Sequence, residues 1–103
     1  MTIAELASRL EEARSRFLQA LRAVPPGDFA RAASPGEWSP AQVCGHATDI
    51  QTFWTAQAER IAREEDPLVG RVTEADRAAR QHSVGEGAPK DIREAIERFN
   101  AAG

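Results

Sequence analysis

The sequence predicts an all-α domain, and three observations carry the prediction. Apolar residues recur at spacings of three and four in three stretches; no stretch alternates apolar and polar residues for more than a few positions; and prolines and glycines gather between the stretches. With 103 residues, 42% of them hydrophobic, the chain fits one small domain spanning residues 1–103. There is no internal repeat and no low-complexity tract.

The first helix is expected over residues 2–24. Ile3, Leu6, Leu10, Ala13, Phe17, Leu21 and Val24 form its stripe, Thr2 and Glu5 have the spacing of a capping box, and Pro25-Pro26-Gly27 ends it. Residues 25–38 read as a loop. The second helix has the best-marked start in the chain: Ser39 as N-cap, Pro40 at the first helical position, Gln42 closing a capping box, and Trp38 placed to staple onto Val43. Its stripe of Val43, Ala47, Ile50, Trp54, Ala58 and Ile61 runs to Arg63 or Glu64, before Pro67.

Residues 64–89 carry no comparable stripe and read as a long connection, with room for a short exposed helix between Thr73 and Gln81. Ile92, Ala95, Ile96 and Phe99 mark a third main helix of about three turns. The expected architecture is an up-down bundle of three main helices. The first two, each about 33 to 38 Å long at 1.5 Å per residue, have the length to pair along most of their extent, and the short third covers only part of them.

Thirteen basic and sixteen acidic residues give a net charge of -3 without a basic block, which argues against nucleic-acid binding. No run approaches the roughly 20 apolar residues of a membrane span. The first residues, Met1-Thr2-Ile3-Ala4-Glu5, have neither the basic start nor the apolar core of a secretory signal, so a cytoplasmic location is expected. The single Cys44 has no internal disulfide partner and no zinc-knuckle spacing.

His46 is the leading candidate for chemistry. It lies about 60° to one side of Val43 on the helical wheel, on the shoulder of the stripe beside Ile50, Phe53 and Gln57, where a ring would enter a bundle groove. Two readings stand: a neutral imidazole presented as a metal ligand, or a half-buried histidine hydrogen-bonded to a neighbour. Cys44, about 200° away, cannot grip the same ion and reads as a packing residue. Asp49, three residues beyond His46, is placed either to orient the imidazole or to sit on a solvated face. His82, in the long connection, is a weaker second candidate ligand.

These residues also carry a resemblance. Leu21-Arg22-Ala23-Val24-Pro25-Pro26-Gly27-Asp28-Phe29, then Glu37-Trp38-Ser39-Pro40-Ala41-Gln42-Val43-Cys44-Gly45-His46-Ala47-Thr48-Asp49, then Phe53-Trp54, resemble the first part of a DinB-like domain. That superfamily includes mycothiol- and bacillithiol-dependent S-transferases and the metal-binding domain of mycothiol-dependent maleylpyruvate isomerase. The resemblance implies a four-helix bundle with a long crossover, a thiol cofactor, and a zinc or nickel ion held by three histidines. His46 matches the first of these; the His-x-x-x-His pair of the fourth helix has no counterpart here. It therefore implies a domain related to metal-dependent thiol S-transferases but inactive alone. The alternative is a non-enzymatic module that forms a homodimer or receives a partner chain over the surface a fourth helix would cover. A third arrangement would join His46 and His82 of two copies around one metal.

Overall fold

The computed structural model describes residues 2–67, 70, 71 and 73–102, and among these it contains four α-helices and no strand. They are α1 (Ile3–Arg22), α2 (Pro40–Arg63), α3 (Glu74–Val84) and α4 (Ile92–Ala102), with a 3-10 turn at Pro26–Asp28. The two local start signals form as expected. Thr2 accepts the Glu5 N–H and Ser39 accepts the Gln42 N–H, while the Glu5 and Gln42 side chains each reach back to the cap backbone. A turn closed by the Glu37 N–H on the Ser34 carbonyl aims the chain into α2; its third residue, Gly36, has φ +86°, a conformation suited to glycine.

The expected three main helices become four. Residues 64–89 are not one open connection, because α3 occupies eleven of them and packs against α2. Its apolar pattern is thin, but Thr73 accepts the Asp76 N–H and the Asp76 carboxylate accepts the Thr73 N–H, a capping box that starts the helix. A turn at residues 85–89 then leads to α4, where the Asp91 carboxylate accepts the Glu94 N–H.

The lengthwise pairing of the first two helices is also corrected. The partners of α2 are α3 and α4, and α1 makes its main helix contact with α4. The reason is side-chain size. Small residues let backbones approach closely, and α2 turns Ala41, Cys44 and Gly45, all buried, toward the interior. The core collects Leu21, Phe29, Ala41, Cys44 and Ala95, with Phe17, Val24, Ile92 and Ile96 packed around them. The bulkier stripe of α2 faces out: Val43, Ile50, Trp54 and Ile61 are exposed, as are Ile3, Leu6 and Leu10 on the first turns of α1.

Arg14 ties the C-terminal half of α1 to the bundle. Its guanidinium donates to Gln51 Oε1 at 2.8 Å, to the Phe99 carbonyl at 3.2 Å and to Asn100 Oδ1 at 3.0 Å, and lies over the Phe99 ring. The Phe99 ring in turn meets Phe17, with centroids 4.7 Å apart. The result is an open molecule, with a radius of gyration of 15.3 Å against about 13 Å for a compact domain of this length.

Candidate functional site

The block from Trp38 to Asp49 places successive side chains in different environments. Ser39 and Gln42 close the cap, but Gln42 also donates through Nε2 to the Val84 carbonyl at 3.0 Å, fastening the end of α3 to the start of α2. Gly45 meets that same end of α3: a methyl group placed on it would overlap the Ser83 carbonyl oxygen. Cys44 is buried in the core, and burial pushes its thiol above the ordinary value. That environment suits packing and keeps thiolate chemistry away from neutral pH.

His46 is half-buried, with its ring edge-on to Trp38 at a centroid distance of 5.0 Å. Its Nδ1 is shut off from solvent and has no hydrogen-bond partner among the described residues. Asp49 does not supply one. Its Oδ2 is paired with Arg71 Nη2 where both side chains are only 15% exposed, so this carboxylate is already spent on holding the segment before α3. Arg71 also lies over the Phe53 ring, 4.2 Å from its centroid, and donates to the Asp76 carbonyl at 3.0 Å. Gln57, buried on the same side of the molecule, accepts the Gly70 N–H. Neither Arg71 nor Gln57 was singled out from the sequence; both partners are distant along the chain, and a local pattern carries no trace of them.

His82 lies on α3, which does fold back on α2, yet it lines a different cavity from His46. It shares about 320 Å³ with Gly45, Thr48, Asp49 and Arg98, whereas His46 shares about 400 Å³ with Trp38 and the other face of α3. Among the described residues no group of three or more His, Cys, Asp or Glu side chains converges. A divalent zinc or nickel ion generally takes three or four protein ligands, and a ligating histidine usually donates its second ring N–H to an acceptor. The described residues of one copy do not meet that requirement, and no step through a metal follows from them.

An apolar cavity of about 660 Å³ lies between the end of α1 and the start of α2, lined by Phe17, Leu21, Val24, Trp38, Val43 and Cys44 among others. It runs into the exposed stripe of α2 at Val43. No helix among the described residues is long and apolar enough to cross a membrane.

Comparison with known proteins agrees with this architecture. The family model of the DinB superfamily matches residues 9–102, and the chain belongs to that superfamily. No curated protein and no solved structure matches it.

Proposed function

We propose that this DinB-superfamily chain works as an open helical platform, closed by a second copy that lays a helix over the outward stripe of α2. The observation that supports this reading is the exposed stripe itself. Val43, Ala47, Ile50, Trp54, Ala58 and Ile61 recur at spacings of three and four residues, the spacing of a helix–helix seam, and the four large apolar members are between 38% and 57% exposed. A compact chain of this mass exposes about 5,700 Å², while this one exposes 7373 Å². The excess, about 1,700 Å², is roughly twice what each partner contributes to a standard interface.

The same reading makes one copy inactive as a thiol S-transferase. His46 is its single contribution to a divalent metal centre, and an incoming helix that carries further ligands would have to complete it. Without them the stripe serves a non-enzymatic dimerisation module.

Sedimentation equilibrium on the full chain tests the platform. A dimer is expected at tens of micromolar, converted to monomer by Trp54→Glu with helical circular dichroism unchanged. A wild type that stays monomeric at several hundred micromolar overturns the proposal. Zinc and nickel calorimetry on wild type and His46→Ala then separates the two uses of the surface. Stoichiometric binding lost in the variant favours the metal-dependent reading, and no binding in either favours the module.

A further inference from the structure

A second surface, independent of the outward stripe, has the chemistry of a ligand site. On α3, Arg77, Arg80, Gln81 and Val84 recur at spacings of three and four, so they share one face of the helix. That face meets Trp38 and His46 at the start of α2, and the six residues enclose a cavity of about 400 Å³, within the range of small-molecule pockets. Two of the six are arginines and none is acidic, in a chain whose net charge is -3.

The two guanidinium groups are available. The Arg80 carbonyl accepts from Ser83 Oγ, but its guanidinium has no hydrogen-bond or ion-pair partner among the described residues. Arg77 is 3.7 Å from Glu74, a carboxylate 93% exposed, and its other contact, to the Arg71 carbonyl, is 3.5 Å long. An exposed pair of that kind is weak and screened by salt, so it does not hold Arg77 away from the cavity. The carbonyl of Val84, which also lines the cavity, already accepts a hydrogen bond from Gln42 Nε2. Trp38, 44% exposed and steadied by its edge contact with His46, adds a flat apolar wall.

We propose that this cavity binds a small organic oxyanion, its carboxylate or phosphate head held by Arg77 and Arg80 and its flat apolar body laid against Trp38. The guanidinium fork matches the geometry of both kinds of head group, which is why the head is named by its shared chemistry. His46 and Gln81 complete the lining, and the Gln81 amide is free to meet a polar substituent of the ligand.

The test uses the full chain in EDTA at fixed ionic strength, with resonances followed by NMR as benzoate, phenyl phosphate, inorganic phosphate and benzyl alcohol are titrated in turn. Benzoate or phenyl phosphate is expected to shift the Trp38 indole N–H saturably while leaving that of Trp54 in place. Which of the two binds more tightly identifies the head group. In Arg80→Gln the affinity is expected to fall at least tenfold, and in Arg93→Gln, which lies on α4 beside Glu97, to stay unchanged. Equal response to the neutral alcohol, equal affinity for inorganic phosphate, an unaffected Arg80→Gln, or no saturation by 50 mM (about 1.8 kcal/mol of binding free energy at the 1 M standard state) each overturns the proposal. Because metal is absent and the stripe of α2 is not involved, this outcome is independent of the dimerisation measurement.

Discussion

The Ser83 carbonyl at the end of α3 sits directly against Gly45 of α2, leaving no space for even one added carbon. This contact, with the Gln42 bond to Val84, sets how closely the two helices approach. A Gly45→Ala substitution must push backbone against backbone, since the obstructing atom is not the end of a flexible side chain. The expected loss is about 3 kcal/mol despite the better helix propensity of alanine, read as a lower urea midpoint, with the largest amide shift changes in residues 80–88.

The Asp49–Arg71 pair is the most enclosed ion pair among the described residues, with both side chains 15% exposed. Removing Arg71 leaves the Asp49 carboxylate in that environment without its counter-charge. Arg71→Ala should therefore cost about 3 kcal/mol, and Asp49→Asn less, because the guanidinium keeps the Phe53 ring and the Asp76 carbonyl. A double-mutant cycle on urea midpoints should give a coupling above about 0.5 kcal/mol. Additive losses would show that the two groups are not partners.

Helix α1 is anchored at only one end. Amides of residues 3–13 should exchange with solvent faster than those of residues 14–22 in dilute protein, because Ile3, Leu6 and Leu10 have little packed over them while Leu21 is buried. Arg14→Ala, which removes the links to Gln51, Phe99 and Asn100, should bring the second group toward the first and cost about 2 kcal/mol. Uniform exchange along α1 would contradict this picture.

Burial holds the proton on Cys44 more tightly in the folded chain than in the unfolded one. Where the unfolded thiol ionises and the folded one does not, the unfolded state binds fewer protons, so stability falls as pH rises. The decline should begin near the unfolded thiol value of about 8.5 and be absent from Cys44→Ala, measured as urea midpoint against pH. At pH 7.5 the folded thiol should resist alkylation by iodoacetamide until denaturant is added.

What was legible in the sequence was whatever is decided within a turn or two. The caps at Thr2 and Ser39 depend on residues three apart, and the extents of α1, α2 and α4 fall within a few residues of the apolar stripes. The third helix, α3, was expected only as a short exposed helix between Thr73 and Gln81, because its stripe is thin, and its packing against α2 was not foreseen. Its capping box, Thr73 with Asp76 three residues on, stands in the sequence and fixes the start at the expected residue. Which face of α2 goes inward was not legible, since periodicity weighs bulk and the structure buries Ala41, Cys44 and Gly45 instead. At the candidate site, His46 is half-buried although the stripe beside it faces out, and the Asp49 partnership with Arg71 links residues 22 apart and has no local signature.

The inward turn of the small residues of α2 reverses the usual map of mutational tolerance. In most amphipathic helices the large apolar side chains are the ones that cannot be changed, and alanines or glycines beside them vary freely. Along α2 of a single copy, Trp54, Ile50 and Ile61 could drift to polar residues without loss of folding, while enlarging Ala41 or Gly45 would be strongly destabilising. Any selection that keeps the large residues apolar must therefore act on association, and comparing the variation tolerated at these two sets of positions would separate the demands of folding from those of assembly.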